Sequence, residues 1–189
     1  ALISSELKTS VATTRIGALW WFLDPIIMTL VYYFIVEVIF QRGGPNYHLF
    51  VLCGIIPWRL FSSGLQGGAK GIESNELLIK QINLPLHLYV LVQPVVRTYL
   101  STIGIAIILA LGYKTIGLNT LLIVPVMVTI MLFTYGLALI FTVVSIYIPD
   151  VHQILHYVLR AGFFLSPVLF PASKILESER VPEMFKIVF

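Results

Sequence analysis

Few residues in this 189-residue chain have the type and spacing to do chemistry. His152 and His156 stand one helical turn apart, with Asp150 just before them. Two imidazoles four residues apart can hold a metal ion only with a third ligand, and none accompanies them. They read more simply as polar residues at the start of an interfacial helix. No Ser/His/Asp grouping stands out, so catalysis has little to stand on. The segment GGAKG at 67–71 has neither the spacing nor the hydroxyl of a phosphate-binding loop. If ATP drives this protein, a partner must hydrolyse it. Cys53 is the single cysteine, which excludes an internal disulfide and reads as a buried packing thiol.

The charged residues inside apolar runs are more informative. Glu37, Arg59, Arg97 and Arg160 each interrupt a hydrophobic stretch. Buried charge costs several kcal/mol unless it is paired or hydrated, so such residues default to function. For the arginines we expect pairing with a distant carboxylate or a place along an aqueous path. Glu37 lies three residues from the end of its run and either faces protein and water or snorkels to the interface. At 100° per residue, Trp21, Asp24, Met28, Tyr32, Ile35 and Ile39 form one stripe, with Glu37 opposite, near Tyr33 and Phe40. Aromatic rings of this kind stack on sugar faces or anchor helices at the headgroup level.

The elements that must position these residues follow from composition. The chain is 58% hydrophobic and 11% charged, with a mean hydropathy of +0.95. A soluble domain is about 45–50% apolar and about 25% charged, so this is an all-α integral membrane protein. The net charge of +3 is too small and too scattered for a nucleic-acid surface. Apolar stretches predict spans over 25–40, 49–65, 87–111, 118–148 and 154–170. Residues 1–23 mix polar and apolar positions at helical spacing and predict an interfacial helix. Asp24-Pro25 then reads as an N-cap and first helical residue, with the alternative that one helix runs from Ile16 and kinks at Pro25. Residues 67–84 form the longest polar stretch between spans, with a short surface helix over 73–81. QRGGPNYH at 41–48 reads as a tight exposed turn, and 171–182 as a second polar stretch. Gly64/Gly68 and Gly67/Gly71 are small-x-x-x-small pairs that permit close helix approach. Basic residues divide almost evenly between the two sides, so charge does not orient the chain.

Four strings carry a resemblance: GALWWFLDP at 17–25, LCGIIPWRLF at 52–61, ELLIKQINLP at 76–85 and FFLSPVLFP at 163–171. Each alone is weak, but in this order they resemble the permease subunit of bacterial ABC exporters for cell-surface polysaccharides. That is the ABC-2 (type V) group covering O-antigen, capsule and teichoic-acid export. The resemblance implies six spans with both termini cytoplasmic and an amphipathic interface helix before the first. It further implies a re-entrant region over 171–189 leading to a sixth span near Phe185, with native chain continuing past both termini. It implies a multi-pass homodimer in the bacterial cytoplasmic (inner) membrane, bound to two copies of an ABC ATPase that carry ATP and Mg. The permease itself would hold no cofactor or metal and catalyse nothing. An undecaprenyl- or other lipid-linked glycan would pass through it among membrane lipids.

By the same resemblance, Trp21, Tyr32, Tyr33, Phe34 and Trp58 would line the channel, and Lys8 and Arg15 would meet the lipid headgroup. Glu73, Asn75, Glu76 and Lys80 would form the ATPase coupling helix, with Asp150 as a further contact. Two departures matter. The interface helix has Ser10 and Ala12 where the family usually has basic residues. The aromatic-Arg-Asp-Val link reads here Ile148-Pro149-Asp150-Val151, which puts one ATPase contact in question. Alternatives are an ABC-2 permease for drugs or lipids and, remotely, a multi-pass enzyme built on Asp150, His152 and His156. A secondary transporter would show inverted repeats, and none is visible.

Overall fold

The computed structural model describes residues 3, 6, 19–41, 44, 46–112 and 117–171, and among these every regular element is helical. Helix α1 spans Leu19–Tyr33 and runs without a break into a π-helical segment, Phe34–Ile39. Helix α2 spans Tyr47–Ala69. A 3-10 turn, Glu73–Asn75, leads into the short α3, Glu76–Gln81. Helix α4 is Leu86–Leu111. A second 3-10 turn, Leu118–Leu122, leads into α5, Ile123–Tyr147, and α6 is Val151–Leu165.

Three stretches among the described residues are long and apolar enough to cross a membrane: Tyr47–Ala69, Leu86–Ala110 and Thr120–Tyr147. Their side chains are arranged for lipid rather than water. On α5 the buried positions Thr134, Ala138 and Thr142 recur every four residues, while Leu132, Phe133, Ile140 and Val143 are exposed. From Thr134 onward on this helix, small and polar residues face the bundle and large apolar ones face outward, because lipid is no worse a solvent for leucine than a protein core.

Three expectations are corrected here. The Cys53 thiol is not buried: it is exposed on the outer side of α2. Pro25 does not start a helix: it lies inside α1, and the Thr29 hydroxyl donates to its carbonyl at 2.7 Å. Asp24 is therefore not an N-cap, because its carboxylate is engaged by Arg59 of α2. The stretch expected as a span over 154–170 is a 15-residue helix, about 22 Å long at 1.5 Å per residue, against a hydrocarbon core of about 30 Å. It stops because Pro167 disfavours helical geometry at Ser166, which is extended (φ −80°, ψ 155°). The remaining described residues, 166–171, turn back against α2, where Val168 packs on Gly54.

Helix α2 is the hub, packing on α1, α4, α5 and α6. Its glycines explain how. A Cβ added at Gly68 would stand 2.8 Å from the Ala138 Cβ and 3.2 Å from the Val90 carbonyl oxygen, and one at Gly64 would be 3.1 Å from Thr134. Pro94 has no N–H to give the Val90 carbonyl, so a bare glycine backbone is what can approach that oxygen closely. Thr142 seals the same junction, its hydroxyl within reach of the Gly68 carbonyl at 3.1 Å and the Ala69 carbonyl at 3.2 Å.

The antiparallel course of α1, α2, α4 and α5 puts residues 70–85, 148–150 and the start of α1 at one end of the bundle. Residues 40, 41, 44 and 46, the 3-10 turn at Leu118–Leu122, and 166–171 share the other. At this second end Gln41 and Asn46 take positive φ, 51° and 63°, as the turn expected over 41–48 requires.

Candidate functional site

Helices α1, α2 and α6 enclose a cleft of about 360 Å³. Along α2 it runs from Ile55 to Gln66, about 16 Å at 1.5 Å per residue. Its two halves differ in chemistry. Toward the end that carries the 70–85 loop, the lining is polar: Asp24, Arg59, Ser62, Gln66, His156 and Arg160. Toward the other end it is apolar and aromatic, with Met28, Tyr32, Trp58, Phe163 and Phe164.

The aromatic half is one connected cluster. Phe163 sits 5.5 Å from Tyr32, 6.0 Å from Trp58 and 5.4 Å from Phe164, ring centre to ring centre. Gly162 makes room for it, since a Cβ there would press to 3.1 Å on the Trp58 ring. In the polar half, Arg59 forms an ion pair and hydrogen bond with Asp24, and a His156 ring nitrogen meets the Gln66 side chain at 3.2 Å. Arg160 is exposed to the cleft and makes no hydrogen bond or ion pair among the described residues.

A second polar cluster lies on α4. Gln93 donates to Glu6 at 2.8 Å and accepts from Arg97 at 3.4 Å. Arg97 also lines a small cavity with Arg59, Pro25, Ser63 and Ser101. Glu37 lies in the π segment with its Oε2 buried and without a hydrogen-bond partner among the described residues.

At the end of the bundle, the 3-10 turn and α3 form the short surface helix expected over 73–81. Glu73, Glu76 and Lys80 are exposed and Asn75 is half-buried, its amide donating to the Gly71 carbonyl at 2.8 Å. Lys80 bonds Glu76 at 2.6 Å, and that ammonium holds the Glu76 carboxyl below its ordinary range. Glu73 reaches His152 at 3.3 Å, which ties the loop to the start of α6 beside the exposed Asp150.

The structure thus brings together Tyr32, Trp58, Arg59 and Arg160, and brings Glu73 next to the Asp150 link. It does not bring Tyr33 or Phe34 to the cleft: Tyr33 meets His48 edge-on at 6.2 Å, and Phe34 is exposed. The backbone of Trp21 lies in α1. Lys8, Arg15 and 172–189 lie outside the described residues. Sequence reasoning missed Phe163, Phe164 and the use of His156. Their spacing with Arg160 (156, 160, 163/164) is one face of a helix, which was legible, but nothing in it said which neighbours that face would meet.

The sequence matches the family described as ABC-2 type transporter over residues 1–182. The chain belongs to the ABC-2 type transporter family. This ABC-2 permease is 31% identical to the O-antigen export system permease protein RfbA of Myxococcus xanthus, over 93% of this chain and 68% of that protein. It is 23% identical to the RfbA protein of Klebsiella pneumoniae, over 97% of this chain and 70% of that protein. It is 28% identical to the polysialic acid transport protein KpsM of Escherichia coli, over 93% and 70% respectively. The resemblance read from the four strings therefore holds at the level of the family. A multi-pass location in the cytoplasmic membrane fits both the family and the apolar helices.

Proposed function

We propose that this chain is the membrane-spanning subunit of an ATP-driven exporter that moves a lipid-linked cell-surface polysaccharide across the cytoplasmic membrane. The observation that carries the reading is the cleft of α1, α2 and α6. Aromatic rings along one wall offer the flat apolar faces that sugar C–H groups stack on, and they bind by shape rather than by fixed hydrogen bonds. Such a surface suits a chain that must slide. The names of its relatives, an O-antigen export permease and a polysialic acid transport protein, point the same way.

In this reading the permease is non-catalytic and works as a homodimer with two ATPase subunits, which supply ATP and Mg. The exposed α3 and its preceding turn are the part the ATPase pushes on, through Glu73, Asn75, Glu76 and Lys80. The Glu73–His152 contact would carry that push to α6, which forms one wall of the cleft. Lys8 and Arg15 would meet the lipid headgroup.

The test has two arms. Tyr32→Ala combined with Trp58→Ala should lower surface glycan at least about tenfold, while the tagged protein still co-purifies with its ATPase. Glu73→Gln combined with Lys80→Ala should abolish that co-purification. Normal export from the aromatic double variant would remove the cleft from the transport path. A full-length protein that purifies without any ATPase in mild detergent would remove the exporter reading altogether.

A further inference from the structure

The charged half of the cleft holds an imbalance that the aromatic lining does not account for. Arg59, Arg160 and Asp24 are its formal charges. Asp24 is taken by Arg59, and no other carboxylate among the described residues lines the cleft. Among the described residues Arg160 is left without a counter-charge, facing a groove whose other lining is uncharged polar (Ser62, Gln66, His156) on one side and apolar on the other. In such surroundings an arginine is costly until an anion meets it, and the guanidinium fork is shaped for carboxylate or phosphate oxygens.

Its position along α6 adds a distance. Phe163 and Phe164 follow Arg160 by three and four residues, which puts Cβ atoms about 5–6 Å apart on the same helix face. A sugar ring resting on the phenyl groups would hold an acidic substituent about where the guanidinium ends. Ser62 and Gln66 of α2 line the same half and add polar atoms. We propose that Arg160 receives an oxyanion carried by the exported molecule, so that the cleft favours an acidic glycan over a neutral one. This rests on the cleft being the glycan's path. The anion has two sources, a carboxylate on the sugars or the diphosphate of a lipid carrier, and both present the same oxygens.

The experiment uses the full-length permease with its ATPase in lipid nanodiscs. Three probes are titrated: an oligomer of sialic acid, a mannose oligomer of equal length, and farnesyl diphosphate. The sialic acid oligomer should bind about tenfold more tightly than the mannose oligomer. Arg160→Gln should bring binding of the sialic acid oligomer down to that of the mannose oligomer, and Arg160→Lys should keep part of the preference. Arg160-dependent binding of farnesyl diphosphate alone would assign the oxyanion to the lipid carrier and overturn the preference for an acidic glycan. Equal binding of the two oligomers, with no effect of Arg160→Gln on any probe, would overturn the inference and leave the glycan path standing. Failure of both oligomers to bind the assembled wild-type protein would overturn the two together.

Discussion

Asp24 and Arg59 decide how charge is tolerated between α1 and α2. Each side chain is about two-fifths exposed in the isolated subunit, at 42% and 41%, so solvent screens the pair and its net worth is at most about 1 kcal/mol. Removing one partner leaves the other unmatched in apolar surroundings. Asp24→Asn and Arg59→Gln should therefore each lower the yield of monodisperse protein, and the exchange Asp24→Arg with Arg59→Asp should recover most of it. Size-exclusion profiles of the four proteins check this, and a swap as poor as the singles would mean the pairing is incidental. Thr142 acts at the same scale. Thr142→Val keeps the shape and loses the hydroxyl that reaches the Gly68 and Ala69 carbonyls. The expected cost is about 0.6 kcal/mol, the average for a hydrogen bond within membranes, read from detergent-unfolding curves. The presence of charged residues in apolar runs was legible at this scale. Their partners were not, because Arg59 and Asp24 lie 35 residues apart and no local spacing links them.

Among elements, the controlling fact is how closely α2 lies against α4 and α5. Gly64 and Gly68 were recognisable as a small-residue pair, and the structure gives the pair its neighbours: Thr134, Ala138 and the Val90 carbonyl that Pro94 frees. A Gly68→Leu change should separate the three helices and abolish recovery of folded protein. Gly136→Leu, at a glycine with nothing within 4 Å of its added Cβ, should be tolerated. Comparable loss in both would mean that general helix propensity, not packing, sets the yield. Gly54 allows a second close approach, with Val168 Cγ1 2.9 Å from an added Cβ. Gly54→Val should displace the turn after α6, raising protease access near Pro167 in the intact protein. Helix α6 itself was overread as a span. Its apolar content is high, but only the turn at Ser166-Pro167 sets its length, and that turn is held by contacts with α2.

For the whole molecule, function depends on two regions at opposite functional poles joined by one helix. The exposed turn and α3 lie at the bundle end, the cleft lies between α1, α2 and α6, and α6 touches both through His152 and through Phe163. If α6 transmits the push, His152→Ala should leave the ATPase bound but slow export several-fold, raising ATP turnover per glycan delivered. Unchanged coupling in that variant would place transmission elsewhere, for example through residues 148–150.

By itself the sequence determined the solvent, the helical class, the transporter family and the short polar helix over 73–81. These follow from composition, hydrophobic length and ordered local strings, all properties of neighbouring residues along the chain. Tertiary structure decided that Pro25 stays inside a helix, that Asp24 answers Arg59, that Phe163 completes the aromatic wall, and that Arg160 has no counter-charge among the described residues. Each of those depends on which face of one helix meets which face of another. Periodicity defines the faces, but only packing around α2 chooses their partners.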